Sequence, residues 1–326
     1  MNASTRALKS GDTGDDVVEL HARLTLAGYL VETFHHDRFE EGTTNAVKAF
    51  QRGRGIDQTG TVDHETWVSL AEAGHHFGER LLCRRTPMMR GDDVGELQLM
   101  LGSLGFDAGW IDGIFGPDTE IAVADFQRNA GLPVDGVAGP TTCATLTRLR
   151  LSANAARPVA AVRERERLRT GPRGLVGRRI VVGDLHTSPT LAAEIGSVLR
   201  NEGARVLLLN HPDGSTHARA ANQFDAELYL GVYVSDEPMC TARFYETDSF
   251  SSYGGSHLAS IAIRSLGVLL DRKAETEGSR TPVLRETRMP AVVFRLGPPE
   301  MVSSAGVEIA EAILGATTVW VTDPEM

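Results

Sequence analysis

Cysteine is scarce in this chain, and long apolar runs are missing from it. The three cysteines, Cys83, Cys143 and Cys240, lie far apart without Cys-x-x-Cys spacing, so we expect neither a disulfide framework nor a cysteine-based zinc site. No apolar run reaches the roughly 18 residues that a membrane-spanning helix needs. Met1–Asp15 also has no apolar core of the kind that a secretory signal requires. These absences predict a cytoplasmic protein without a membrane span.

Basic residues are outnumbered by acidic ones. The 326 residues include 33 lysines and arginines against 43 aspartates and glutamates, a formal net charge of −10, which argues against a nucleic-acid partner. Hydrophobic residues make up 41% of the chain and charged residues 23%, as in ordinary globular proteins and unlike disordered or fibrous ones. The length predicts two domains, or three if some are small.

The first half of the chain contains an internal repeat. Gly14-Asp15-Asp16-Val17 recurs as Gly91-Asp92-Asp93-Val94, and Phe50-Gln51 recurs as Phe126-Gln127. Matching positions follow one another in the same order through both copies, as expected for two copies of one structural module. The repeat predicts two modules, residues 1–76 and 77–152.

The second copy carries clear helix signals. Its apolar residues Val94, Leu97, Leu101 and Leu104 fall on one stripe of an amphipathic helix. Two further helices are predicted to start at Gly116-Pro117 and Gly139-Pro140, since proline is favoured in the first turn of a helix. We therefore expect an all-α module of three short helices around one small core.

This copy resembles the peptidoglycan-binding three-helix module along its whole length. The matching residues are Gly91-Asp92-Asp93-Val94, Leu97-Gln98, Leu104-Gly105-Phe106, Asp112-Gly113-Ile114-Phe115-Gly116-Pro117, Ala122-Val123, Phe126-Gln127, Gly131-Leu132-Pro133-Val134-Asp135-Gly136 and Gly139-Pro140. The resemblance implies that the module binds peptidoglycan or its precursors. The candidate ligand-binding residues that it implies are Asp112, Gly113, Phe115, Gly116, Asp135 and Gly136.

The first copy departs from the family pattern in the corresponding loop. Glu40 stands at the position of Gly116, and His36-Asp37 at the position of Asp112-Gly113. Whether this copy binds glycan is therefore open. The alternative is that both copies serve only for packing, since their glycines and apolar residues support the fold whatever the ligand.

A run of arginines follows the repeat. Eight arginines and two glutamates lie between residues 157 and 179, with the alternation Arg163-Glu164-Arg165-Glu166-Arg167 at its centre. Such a pattern is typical of a solvated helix or tether, although it could also lie on an acidic surface or attract an acidic partner. We predict an arginine-rich linker over residues 153–176.

From residue 177 onwards, short apolar runs alternate with helical patterns. The predicted strands are Ile180-Val181-Val182, Val206 to Leu209, Leu228 to Val234 and Ala291 to Leu296. The predicted helices are Leu191 to Glu202, His257 to Leu270 and Val307 to Leu314. Strands separated by helices predict an α/β domain with a largely parallel sheet, here over residues 177–326. The expected fold class is thus multidomain, with two all-α modules followed by an α/β domain.

Residues 177–315 resemble the zinc-dependent N-acetylmuramoyl-L-alanine amidase domain of type 3. The matching runs are Ile180-Val181-Val182, Gly203-Ala204-Arg205-Val206, Arg219-Ala220-Ala221-Asn222, Ala226-Glu227-Leu228-Tyr229-Leu230-Gly231-Val232, Ser256-His257-Leu258-Ala259 and Met289-Pro290-Ala291-Val292. The resemblance implies a zinc ion held by two histidines and a glutamate, with a second glutamate as general base. In such a site the zinc-bound water attacks an amide bond.

The positions that would carry this chemistry are altered. His186 could be a remnant of the first zinc ligand, but no glutamate follows it before Pro189. Tyr233 stands where the second histidine belongs, and Arg295 stands where the general base belongs. We therefore expect vestigial positions at His186, Tyr233 and Arg295, no catalytic residues, no metal and no cofactor; zinc is expected only if the chain is a working amidase.

We expect no metal site from the other histidines. The best remaining metal set is His186 with His211 or His217, and single histidines are usually surface or hydrogen-bonded residues. Arg295 instead suggests a new role for the former cleft, since a guanidinium suits bidentate contact with a carboxylate or phosphate. The alternative is that it pairs internally with Glu300 or Asp184.

The chain contains tandem modules, then an arginine-rich spacer, then an altered amidase fold. This order resembles that of the actinobacterial CwlM-type proteins. That resemblance implies a cytoplasmic regulator that stimulates the UDP-N-acetylglucosamine enolpyruvyl transferase of peptidoglycan precursor synthesis under Ser/Thr-kinase control. Two alternatives stay open: a zinc-dependent amidase that hydrolyses peptidoglycan, and a plain peptidoglycan-binding protein that acts outside the cell.

Overall fold

The computed structural model describes residues 7–32, 35–152, 158–247 and 250–323. The chain divides into two compact units, Met1–Ala160 and Ala161–Met326. The start of the expected linker, residues 153–157, lies outside the described residues, as do residues 1–6 of the amino-terminal segment. None of the described helices is long and apolar enough to cross a membrane.

Helices of the first unit come in two sets of three. They are α1 (Asp15–Leu26), α2 (Glu41–Arg54), α3 (His64–Ala73), α4 (Asp92–Ser103), α5 (Pro117–Asn129) and α6 (Pro140–Ser152). Each set surrounds its own apolar core. The stripe predicted for α4 faces inward, with Val94, Leu97 and Leu101 fully buried, because these residues recur at the spacing of a helical face. The predicted pair of three-helix modules is confirmed.

An aromatic pair occupies the same place in both cores. In the second module the rings of Phe126 and Phe106 meet edge to face, with centroids 5.6 Å apart. In the first module Phe50 and Tyr29 form the equivalent pair at 5.4 Å. This geometry is preferred by aromatic rings because the positive edge of one faces the negative face of the other. The sequence repeat is therefore also a repeat of packing.

A bidentate ion pair joins the two modules. The guanidinium of Arg54, at the end of α2, donates to both carboxylate oxygens of Asp92 at 2.6 and 3.1 Å. The same guanidinium also donates to the main-chain oxygen of Ser69 at 3.1 Å. Arg54 is 6% exposed, whereas the Asp92 side chain is 43% exposed, and the pair connects the start of α4 to the first module.

The second unit is built on one mixed sheet. Its strands are β1 (Arg179–Asp184), β2 (Arg205–Asn210), β3 (Leu228–Val234), β4 (Met239–Tyr245), β5 (Glu275–Ser279) and β6 (Ala291–Gly297). Their order is β2-β1-β3-β6-β4-β5. The four strands predicted from the sequence are mutually parallel, whereas β4 runs antiparallel to β6. The expected α/β fold with a largely parallel sheet is confirmed.

Helices cover both faces of this sheet. They are α7 (Val159–Thr170), α8 (Pro189–Asn201), α9 (Gly214–Gln223), α10 (Tyr253–Leu269), α11 (Pro282–Glu286), α12 (Pro299–Ser304) and α13 (Gly306–Thr322). Side chains of α8, α10 and α13 pack on one face and form the main core. The last helix extends eight residues beyond its expected end at Leu314, where Trp320 is buried and donates its indole N–H to the Gly254 oxygen at 3.0 Å.

The arginine-rich segment is more than a solvated tether. Within α7, Glu164 is 2% exposed and accepts hydrogen bonds from the Ser252 hydroxyl at 2.6 Å and the Tyr253 amide at 3.0 Å. Burial raises the pKa of Glu164, and these hydrogen bonds oppose the rise. The guanidinium of Arg165 lies 4.8 Å from the centre of the Tyr253 ring. The expectation of a solvated segment therefore fails at Glu164, which holds α7 against the start of α10.

Candidate functional site

The turn after β1 is held by a buried carboxylate. Asp184 is fully buried, and its Oδ1 accepts from the amides of Thr187 and Ser188, both at 2.8 Å. His186 lies at the top of this turn with φ 68°, in the left-handed region. Its ring is exposed, and Nδ1 lies 2.9 Å from the side-chain oxygen of Asn210 at the end of β2.

Two of the altered positions contact each other. Tyr233 on β3 and Arg295 on β6 are paired residues of neighbouring parallel strands, so their side chains leave the same face of the sheet. The guanidinium carbon of Arg295 lies 5.0 Å from the centre of the Tyr233 ring, which is a cation–π contact. His186 instead contacts Asn210 of β2. Internal pairing of Arg295 with Glu300 or Asp184 stays a prediction.

These three side chains do not fit a zinc ion. Zinc sites in proteins use imidazole, thiolate and carboxylate donors, whereas Tyr233 offers a phenol and Arg295 a cation without an acceptor atom. Across residues 7–32, 35–152, 158–247 and 250–323, no group of three or more His, Cys, Asp or Glu side chains could hold a metal ion. The geometry therefore supports no step that runs through zinc.

Beside the turn lies a buried pair that the sequence pattern did not reveal. His217 on α9 and Tyr229 on β3 are both fully buried, and the phenol oxygen lies 2.7 Å from the imidazole Nδ1. Burial lowers the pKa of His217 and raises that of Tyr229, so both side chains are neutral near pH 7. A side chain at Gly183 would collide with both groups. His217 is thus a core residue, and His211 is exposed and accepts from the Asp213 amide at 3.0 Å.

The candidate ligand loop of the second module is organised by one glutamine. Gln98 is 2% exposed, and its amide donates to Asp112 Oδ1, to the Ile114 oxygen and to the Thr119 hydroxyl at 2.9–3.1 Å. Its Oε1 accepts from the Gly113 amide at 2.9 Å. Gly113 has φ 69°, a conformation that glycine adopts at little cost.

The second loop of this module repeats the arrangement. Gln127 donates to Asp135 Oδ1 at 2.7 Å and to Thr142 at 3.2 Å, and it accepts from the amide of Gly136, which has φ 70°. Hydrogen bonds from Val137 and Gln127 lower the pKa of Asp135. The aspartates and glycines predicted as ligand contacts therefore also shape their own loops.

Two other predicted contact residues differ in exposure. Phe115 is fully buried in the core of the second module, so its ring has no surface with which to touch a ligand. Gly116 is the residue before α5, and a side chain there would meet open space. Gly116 remains a predicted ligand contact, whereas the role of Phe115 lies in the core.

The first module keeps one glutamine and replaces the other by histidine. Gln51 holds the Gly60 amide at 2.9 Å and the Thr66 hydroxyl at 3.1 Å. His21 stands where α4 has Gln98, is 7% exposed, and lies 2.8 Å from the Thr43 hydroxyl. An imidazole ring has no NH2 group and so does not reproduce the contacts that Gln98 makes with its loop.

Comparison with known proteins agrees with this architecture. The family model described as a peptidoglycan binding domain matches residues 13–70 and 90–146. The chain is 29% identical to the N-acetylmuramoyl-L-alanine amidase CwlM of Mycobacterium tuberculosis over 335 aligned positions, which cover 89% of this chain and 82% of the relative. The chain is thus similar to CwlM over most of its length. The expected resemblance to CwlM-type proteins is confirmed, and so are the peptidoglycan-binding domains of the first half.

Further relatives match parts of the chain. The amidase CwlL of Bacillus licheniformis is 33% identical over 163 aligned positions, which cover 44% of this chain and 45% of the relative. Among solved structures, an N-acetylmuramoyl-L-alanine amidase from Clostridium difficile aligns with 45% of this chain and 98% of its own, at 12% identity and a TM-score of 0.38. CwlM and CwlL are both N-acetylmuramoyl-L-alanine amidases by name.

Proposed function

We propose that this CwlM-like homologue is a catalytically inactive amidase that acts in the regulation of peptidoglycan biosynthesis by binding glycan precursors or proteins. One observation carries the proposal: Tyr233 and Arg295, at the positions of a zinc ligand and the general base, lie in contact with each other. A phenol with a reference pKa near 10 is a poor neutral ligand, and arginine stays protonated at any physiological pH.

The charge of Arg295 also disfavours a metal directly. A unit charge about 5 Å from a dication costs roughly 6–7 kcal/mol at an effective dielectric constant of about 20. Loss of one ligand can be compensated by a neighbouring donor. Loss of two ligands and the base, with a cation in place of the base, leaves too few donors, which supports the absence of zinc and of hydrolysis.

Peptidoglycan or a precursor is the ligand that we assign to the tandem modules. The match of residues 13–70 and 90–146 to the peptidoglycan binding domain supports this assignment. The second module keeps the aspartate–glycine loops of the family, with Gly116 open to solvent. We assign binding to that module first, because His21 and Glu40 alter the corresponding loop of the other.

The regulatory part of the proposal comes from the resemblance to CwlM-type proteins. On that ground we propose that the chain acts in the cytoplasm, with a precursor-synthesis enzyme as its partner and a Ser/Thr kinase as its control. The former cleft provides a recognition surface at Arg295, whose planar guanidinium suits a carboxylate or phosphate of that partner. Replacing Arg295 by alanine separates recognition from internal packing: loss of binding with unchanged thermal stability supports recognition, and the reverse contradicts it.

The alternative with support of its own is a working amidase, since the relatives carry that name. Incubating the full chain with purified peptidoglycan sacculi and zinc distinguishes the two functions. We expect the chain to co-sediment with sacculi and to release no peptide amino groups, while an active amidase assayed alongside releases them. Release that a chelator abolishes would contradict the proposal.

For the regulatory part, addition of the chain should raise the rate of purified enolpyruvyl transferase, and an unchanged rate would contradict it.

A further inference from the structure

Three polar side chains form a row near the carboxyl ends of β3 and β6. Tyr233 on β3 pairs with Arg295 on β6, and Arg295 pairs on its other side with Thr241 on β4. Paired residues of neighbouring strands point to the same face of a sheet, so the phenol, the guanidinium and the Thr241 hydroxyl lie side by side. Open α/β sheets bind their ligands at the carboxyl ends of the parallel strands, which is the end where this row lies.

The row lies at the boundary between a buried and an open part of this face. All three of its residues are partly exposed, whereas the next row on the same strands, Gly231, Val293 and Arg243, is buried. Helix α11 packs against β4 and β6. Within the described residues, neither the Tyr233 nor the Thr241 hydroxyl takes part in a hydrogen bond. The row therefore offers polar groups to a ligand above a closed floor.

Arg295 gives the row a fixed positive charge. Its guanidinium carbon lies 5.0 Å from the centre of the Tyr233 ring, so this cation–π contact is made with the ring and does not use the phenol hydroxyl. The acidic residues that follow β3, Asp236 and Glu237, lie in the turn beyond the strand and are exposed, so solvent and salt screen their charge. One cation between two hydroxyl groups favours an anion with several acceptor oxygens.

We propose that this row binds a diphosphate group, with Arg295 at its centre and the hydroxyls of Tyr233 and Thr241 at its two ends. Arginine suits phosphate oxygens because its planar guanidinium donates two parallel hydrogen bonds. Neighbouring strands lie about 4.8 Å apart, so the two outer residues are about 10 Å apart across Arg295. A single phosphate is shorter than this separation, whereas two linked phosphoryl groups extend over more of it.

The diphosphate site rests on the proposed function, in which Arg295 serves recognition instead of catalysis. It gives a chemical class to the glycan precursors proposed above as ligands, namely a sugar joined to a diphosphate. The same group also occurs as free inorganic pyrophosphate. The two sources share the chemistry that the row recognises, and they are distinguished by titrating each of them.

Titration calorimetry of the full chain in metal-free buffer tests the ligand class. Inorganic pyrophosphate should bind about ten-fold more tightly than inorganic phosphate, since a second phosphoryl group adds charge-assisted hydrogen bonds. UDP-N-acetylglucosamine that binds at least as tightly as pyrophosphate would identify the activated sugar as the source, and binding of pyrophosphate alone would identify the free anion. Equal affinity for phosphate and pyrophosphate, or no binding of either, would overturn the proposal.

Two variants test the ends of the row. Tyr233→Phe keeps the ring beside Arg295 and removes only the hydroxyl, and Thr241→Val keeps a branched side chain that suits a strand. Each should weaken pyrophosphate binding about five-fold with an unchanged thermal unfolding temperature. Tyr253→Phe is the matched control, because Arg165 lies 4.8 Å from the Tyr253 ring in a second such pair, and it should bind pyrophosphate like the unmodified chain.

The outcome for the row is separate from that for the proposed function. Pyrophosphate binding by Tyr233→Phe as tight as that by Tyr253→Phe would overturn the diphosphate site and leave the proposed function standing. Stoichiometric zinc and amide cleavage, measured on the unmodified chain in their own assays, would instead contradict the proposed function.

Discussion

Replacing Gln98 by alanine should unfold the loop that carries Asp112 and Gly113. The substitution removes an amide whose NH2 group shares its two hydrogens among three acceptors at 2.9–3.1 Å and whose oxygen accepts one hydrogen bond at 2.9 Å, from a side chain that is 2% exposed. Each such bond contributes about 0.5–1.5 kcal/mol net, and buried partners left unsatisfied cost more. Since water can enter the partly exposed loop and replace some of them, we expect a loss of about 2–4 kcal/mol in the free energy of unfolding.

Urea unfolding measures this loss, and hydrogen exchange locates it. Amides of residues 112–116 should exchange faster in Gln98→Ala, while those of the α/β unit should be unchanged. Gln127→Ala, which removes the same arrangement from the second loop, should lose a similar amount. Ile121→Ala, at a position 58% exposed, is the matched control and should lose less than about 1 kcal/mol. If Gln98→Ala were no more harmful than Ile121→Ala, the assignment of glutamine as the organiser of these loops would be refuted.

Other predictions concern the two cores. Phe126→Ala should lower the free energy of unfolding by about 3–5 kcal/mol through loss of a buried aromatic ring, and a melting curve like that of Ile121→Ala would contradict the repeat of packing. Gly183→Ala should destabilise the α/β unit by about 1–3 kcal/mol through overpacking, and Tyr229→Phe should restore part of that loss in thermal unfolding. Since burial lowers the pKa of His217, the unfolded chain binds the extra proton below about pH 6.5, so stability should fall as pH decreases through that range. This pH dependence should weaken in His217→Gln, and equal slopes for both proteins would contradict it.

The helices of the two modules could be predicted from the sequence, because each is marked by residues that lie close together in the chain. The stripe Val94, Leu97, Leu101 predicts a buried helical face directly, and proline at α5 and α6 marks the start of each helix. Because the module is repeated, each helix is predicted twice, once in each copy. The sequence pattern nevertheless missed Gln98 as an organiser, although its partner positions recur in both loops of the second module. A search for recurring polar residues, beside the recurring apolar ones, could have found it.

The α/β unit shows where local patterns fail. Strand β5 has no apolar side chain, so no apolar pattern marks it in the sequence. It is held in the sheet by its pairing with β4 and by the ion pair between Arg243 and Glu277 at 2.9 Å. The contact between Tyr233 and Arg295 depends on the register of strands that are about 60 positions apart in the chain, and a single sequence contains no signal for such a register. Each residue was predicted as altered, but their contact was not.

The zinc content of the purified full chain tests the central claim most directly. The protein would be prepared with zinc present, passed through gel filtration to remove loosely bound metal, and analysed for its elements beside an active amidase treated in the same way. Since Tyr233 and Arg295 replace a ligand and the base, we predict far less than one zinc ion per chain. One zinc ion per chain, removed by a chelator together with cleavage of muropeptides, would contradict the account of this chain as an inactive amidase.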